Sequence, residues 1–137
     1  MALQAAGLRA TAQRTAVLGV LRTARAHLSV EAVTGQVTER LGSISHQAVY
    51  DVLGALAAGG LARRIEPAGS PALFESRVAD NHHHLVCRGC GVVRDVDCTV
   101  GAAPCIDLVS SQSHGFLLDE AEITFWGLCP ACQEAPV

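Results

Sequence analysis

The chain has 137 residues, half of them apolar and only 4% aromatic, with ten basic and thirteen acidic side chains for a net charge of −3. That length suits one ordinary domain or two small ones, each short of core. No apolar run approaches the roughly 18 residues that cross a bilayer, and the opening MALQAAGLRATAQR lacks the basic stretch and apolar core of an export signal. A cytoplasmic protein with no membrane partner is expected. The charge is uneven: residues 1–78 carry eight arginines against five acids, and residues 79–137 carry two arginines against eight. A basic first half can face phosphates while an acidic second half faces away or binds cations.

In chain order, Thr11 can cap a helix whose Ala16, Val17, Val20, Leu21 and Ala24 share one face. Ser29 can cap a second, with Glu31 in its first turn, Val30, Val33, Val37 and Leu41 as the buried stripe, and Gly42 as its end. A third starts near Ser45, buries Val49, Val52, Leu53 and Leu56, and stops at Gly59-Gly60. Its other face carries His46, Gln47, Tyr50 and Asp51. LARRIEP and PALFES, around Pro67, Gly69 and Ser70, read as a hairpin. Three helices and a hairpin make a winged helix-turn-helix over residues 1–75. Such units also serve as plain cores that never touch nucleic acid. The exposed Ser45, His46, Gln47 and Tyr50, able to reach base edges and phosphates, favour DNA, as do Arg9, Arg14, Arg63 and Arg64 on the first turns and wing.

Past a polar hinge, SRVADN at residues 76–81, the pattern changes to strands in HHHLVC, VVRDVDC and LLDEAEITFWGLC, with a helical stretch around APCIDLVSSQSHG. Residues 82–137 therefore form a second, small α/β unit, and the whole is α+β.

Six cysteines in a chain without an export signal point to metal or redox chemistry rather than disulfides. Four of them form two C-x-x-C knuckles, Cys87 with Cys90 and Cys129 with Cys132. Four soft thiolates suit tetrahedral zinc at a closed site, a staple that leaves no position for substrate. Cys98 and Cys105 lie outside this set and are read as buried free thiols, with a redox pair as the alternative. A second group comprises His82, His83 and His84 with Asp95, Glu75 and His27. On a strand, His82 and His84 point to one face and His83 to the other. Imidazoles with carboxylates suit iron, manganese, zinc or nickel, although three adjacent histidines are also what a solvated strand end looks like.

The runs RATAQR, AVYDVL, NHHHLVCRGCGVVRDV and ITFWGLCPAC closely resemble the ferric uptake regulator family over nearly the whole chain. The resemblance implies a homodimeric winged-helix repressor whose second unit is a dimerisation domain and whose operator is a duplex with palindromic half-sites. It implies structural Zn2+ on Cys87, Cys90, Cys129 and Cys132. It also implies a regulatory cation, Fe2+ or Mn2+ with Zn2+ or Ni2+ as further candidates, on His27, Glu75, His82, His84 and Asp95. A cation with ligands on both sides of a hinge selects one spacing of the paired winged helices.

Asp95 matches the family's peroxide-sensing branch, in which peroxide acting on Fe2+ oxidises a ligand histidine, here His27 or His82. That reading makes the protein a repressor of oxidative-stress genes such as a catalase. Glu75, where that branch usually has Asp, and one extra residue before His82 depart from it, and the alternative within the family is a repressor of iron or zinc uptake using the same site. Ala121 stands where many relatives have a metal-binding histidine, and His83 where they have Asp, so no third metal site is expected. Asp51 departs from the usual basic or amide residue after the tyrosine. No general base or pocket for a small organic substrate is evident, which argues against an enzyme.

Overall fold

The computed structural model describes residues 2–24, 26–78, 82–97, 114–117 and 122–134, which fall into two compact units, Met1–Ala79 and Asp80–Val137. Among these residues no helix is long and apolar enough to cross a membrane. The expected helix around APCIDLVSSQSHG lies almost wholly outside the described residues, as do Cys98, Cys105, Ala121 and the end of the SRVADN segment.

The first unit opens with a short helix α1 (Ala2–Ala5) that the sequence pattern did not predict, and its Leu3 is 2% exposed. Helix α2 (Ala12–Ala24) starts at Thr11, whose Oγ1 accepts a hydrogen bond from the Arg14 N–H at 3.1 Å. That bond satisfies one of the four amides that a helix start leaves without a partner. Helix α3 (Val30–Leu41) is capped in the same way by Ser29 and ends at Gly42, whose N–H still bonds the Thr38 carbonyl and whose φ of +83° then turns the chain out of the helix. Helix α4 (His46–Ala58) is capped by Ser45 and stops at Gly59.

Val17, Val20 and Leu21 of α2, Val33 and Val37 of α3, and Val49, Leu53 and Leu56 of α4 are all fully buried, forming one core. Each such side chain contributes about 1.5–3 kcal/mol by leaving water. Leu18 is buried as well. Leu41, expected in the stripe, is 38% exposed because the last turn of α3 runs past the core.

The expected hairpin of the wing is present and gains a third strand. Strand β3 (Leu73–Glu75) lies between β1 (Leu28–Ser29) and β2 (Arg63–Ile65), both antiparallel to it. β1 was missed because two residues carry no periodicity. Phe74, 2% exposed, sends the sheet's apolar face into the helical core. The Ser76 hydroxyl donates to the Leu21 carbonyl, tying the end of the wing to α2.

The second unit is built on β4 (His82–Cys87), the central strand of a three-stranded sheet. β5 (Val93–Asp97) pairs with it antiparallel and β6 (Thr124–Gly127) parallel. A short helix α5 (Pro130–Glu134) follows β6 and carries the last cysteine. Five of the six β4 residues are buried, the histidines included, so the triplet is not a solvated strand end.

Candidate functional site

The two cysteine knuckles meet. The Sγ atoms of Cys87, Cys90, Cys129 and Cys132 lie within 4.8 Å of one another, and none is in a disulfide. Cys90 and Cys129 have their sulfurs 3.8 Å apart, matching the edge of about 3.8 Å of a tetrahedron with Zn–S of about 2.3 Å. Cys87 ends β4, and the parallel pairing of β4 with β6 brings Gly127 level with it, which delivers Cys129 to the same place. Arg88 secures the crossing: its N–H donates to the Gly127 carbonyl at 2.8 Å and its guanidinium lies 5.6 Å from the centre of the Trp126 ring.

The Cys87 sulfur accepts backbone N–H bonds from Cys129, Gly89 and Cys90 at 3.3–3.5 Å. Those from Cys129 and Cys90, the larger contributions, pull its pKa down to about 6 against the opposing effect of burial. Cys132 is pushed up to about 12, first because its thiol proton is shared with Cys129, then with Cys87 and Cys90. Four sulfurs this close cannot all be anionic on their own, and a dication among them removes the conflict. The donor set fits zinc. Gly89 is required by the closeness of the cage, since a Cβ there would stand 2.8 Å from Cys132 Sγ.

Each unit also assembles a histidine–carboxylate group of its own. In the first, β1 and β3 pair Leu28 with Phe74, so the next step along each strand sets His27 beside Glu75, 48 positions on. His27 Nε2 is 2.5 Å from Glu75 Oε2, and the two side chains are 7% and 4% exposed. A buried imidazole–carboxylate contact with such desolvation is weak evidence of a stabilising role and invites a functional one.

In the second, His82 and His84 project from one face of β4 with ring centres 5.0 Å apart. The register sets Asp95 of β5 directly opposite His84. One oxygen of Asp95 lies 3.7 Å from His82 Nε2 and 3.5 Å from His84 Nε2. His83 points the other way and is occupied structurally, its Nδ1 accepting the Ile123 N–H at 3.2 Å. Glu122, which the sequence reading passed over, has Oε1 3.6 Å from His84 Nδ1, on the far side of that ring from Asp95. Only the parallel pairing of β6, which starts two residues later, reveals it.

The residues expected at DNA cluster on the exposed side of α4 and its neighbours. His46, Gln47 and Tyr50 are exposed, and Gln47 donates through Nε2 to Asp51 at 2.9 Å. The Ser45 hydroxyl oxygen is engaged in capping through Ala48 N–H. Arg9 and Arg14 line a hollow with Thr11, Gln13, Ala48 and Asp51, and an Arg14 N–H bonds the Arg9 carbonyl at 3.0 Å. On the wing, Arg64 is exposed beside Glu66, whereas Arg63 is half-buried opposite Glu75 in the ladder.

The sequence pattern of the ferric uptake regulator family matches residues 5–123. The Transcriptional regulator FurA of Mycobacterium tuberculosis is 57% identical over 130 residues, spanning 95% of this chain and 86% of that protein. The Ferric uptake regulation protein 2 of Mycolicibacterium fortuitum is 50% identical over 136 residues, spanning 98% of this chain and 92% of that protein. Among solved structures, the Helicobacter pylori ferric uptake regulator has the same fold, with a TM-score of 0.75 at 24% identity over 98% of this chain and 89% of that one.

Proposed function

The chain belongs to the ferric uptake regulator family and is a metal-responsive regulator of transcription rather than an enzyme, and from that premise we propose that it is a homodimeric, peroxide-sensing repressor. Structural Zn2+ sits on Cys87, Cys90, Cys129 and Cys132. A regulatory cation, Fe2+ in the sensing form or Mn2+ in its place, takes His27 and Glu75 from the first unit and His82, His84 and Asp95 from the second. The observation that carries this reading is that strand register alone sets His27 beside Glu75 and Asp95 against both His82 and His84. Two ligands or three are too few to fill the shell of such a cation, and five nearly do so.

The residues' work is to hold and to couple. Ligands divided between two units make ion binding favour one arrangement of the winged helices, and a coupling of about 1–3 kcal/mol then changes operator affinity about 5–150-fold. The helix α4 face, with Ser45, His46, Gln47 and Tyr50, enters the major groove of each palindromic half-site, while Arg9, Arg14, Arg63 and Arg64 serve the phosphates. Leu85, Phe125, Trp126 and Leu128 of the second unit, 37–53% exposed, supply apolar surface that a second copy covers.

Fe2+ held there would lend hydrogen peroxide the electron that activates it and recover that electron, the imidazole giving up two electrons overall as imidazole and peroxide go to oxo-imidazole and water. His27 and His82 are the target side chains. Loss of one ligand lowers metal affinity and frees the operator of genes such as a catalase.

Glu75 favours a second reading, a reversible iron- or zinc-responsive repressor of uptake genes using the same ligands. Peptide mass spectrometry separates the two. Zinc-stapled protein is loaded anaerobically with Fe2+ and given a low dose of peroxide, with a Mn2+-loaded control. One added oxygen on the His27 or His82 peptide in the iron sample alone supports peroxide sensing. Unmodified histidines with iron still bound would replace it with the uptake reading.

A further inference from the structure

We infer that Gln47, held by Asp51, reads an A·T base pair in each half-site. The inference rests on the DNA-binding reading above and adds to it the base that one side chain selects. Gln47 lies in the first turn of α4, one residue after the helix begins, and is exposed. In helix-turn-helix proteins the N-terminal residues of this helix are those that meet base edges.

Its amide is not free to turn over. Gln47 Nε2 donates to Asp51 Oδ1 at 2.9 Å, one helical turn on. An ionised carboxylate only accepts hydrogen bonds, so the amide must present N–H to it and never its oxygen. With the N–H anti to Oε1 given to Asp51, the N–H syn to it remains, side by side with the Oε1 acceptor in one plane. The major-groove edge of adenine offers the complementary pair, N7 to accept and the N6 amino group to donate. Guanine offers two acceptors, one of which would face Oε1. Thymine offers only an acceptor and cytosine only a donor.

Asp51 has its own cost. A carboxylate on the face that approaches DNA repels phosphates and lowers affinity for every sequence. An i,i+4 amide–carboxylate pair returns little helix stability in exchange. Its advantage is in fixing the rotor and orientation of Gln47 before DNA arrives, so that less order has to be imposed on binding.

The test uses the full chain loaded with Zn2+ and Mn2+. Duplexes selected from a random pool give the preferred operator, and affinities for each single-base change are then compared for wild type, Gln47→Ala and Asp51→Ala. Both substitutions lie on an exposed helix face, and thermal melting checks that the fold is intact. Wild type is expected to prefer A·T at one symmetric position per half-site by about 5–150-fold. Gln47→Ala should flatten that position alone. Asp51→Ala should weaken the preference in part while tightening binding to unrelated duplex. A merely helix-stabilising pair would leave every base preference unchanged in Gln47→Ala, and that result overturns the inference. So does a preference for cytosine that Asp51→Ala removes and Gln47→Ala does not, since Asp51 would then be the reader. If metal-loaded wild type enriches no sequence at all, the DNA-binding reading falls first and takes this inference with it.

Discussion

Substituting Gly89 by alanine adds one methyl group to the cysteine cage and replaces none of its ligands. The new Cβ would stand 2.8 Å from Cys132 Sγ and 3.1 Å from its Cβ, whereas ordinary contact begins near 3.4 Å. The sulfur must therefore retreat by about 0.6 Å, three times the roughly 0.2 Å tolerance of a well-formed zinc site. Zinc binding to four thiolates is worth about 10–16 kcal/mol, or about 2.5–4 kcal/mol for each if shared equally. Displacing one thiolate without removing it should cost about 1.4–2.8 kcal/mol, a 10–100-fold loss of zinc affinity. Competition against a chromogenic chelator measures the loss. Gly127→Ala, whose added Cβ meets nothing within 4 Å, is the matched control and should bind zinc as wild type does. Equal zinc affinity for Gly89→Ala and wild type would refute the cage as drawn.

Leu53→Ala removes a fully buried side chain from the helical core and should destabilise the first unit by about 2–5 kcal/mol in urea denaturation followed by circular dichroism. Glu122→Gln weakens the carboxylate's hold on the His84 ring, and Mn2+ affinity by calorimetry should fall about tenfold, the low end for an outer-shell partner as exposed as this one. Arg64→Ala should weaken binding to all duplexes alike and reduce the slope of log affinity against log salt by about 1, measured by fluorescence anisotropy.

What could be read from the sequence was what is local. Thr11, Ser29 and Ser45 announce helix starts because a cap needs only its own hydroxyl and an amide three residues on. The core face of α4 follows from 3.6-residue spacing, and the knuckles follow from ligand chemistry. What stayed hidden depends on pairing between distant segments. β1 has only two residues and exists because Leu73 and Phe74 are there to pair with it. Glu122 meets His84 only through a parallel strand, a register that no alternation of residue types encodes. Leu41 fitted the helical stripe but lies beyond the core that the stripe serves. The unequal acidities of Cys87 and Cys132 arise from where amides and thiols point, which spacing does not carry. The regulatory ligands were named by resemblance. Register then gave a physical reason for His27 with Glu75, and for Asp95 with His82 and His84.

The central claim is that one cation and the operator bind to a common arrangement of the protein. Linkage makes this reciprocal: if Mn2+ tightens operator binding, operator must tighten Mn2+ binding by the same factor. The direct measurement is Mn2+ affinity of zinc-stapled protein, titrated with and without a saturating selected duplex. The account predicts a tightening of about 5–150-fold on the duplex, equal to the factor by which Mn2+ strengthens DNA binding. Identical Mn2+ affinities in the two titrations, with the duplex bound throughout, would contradict it.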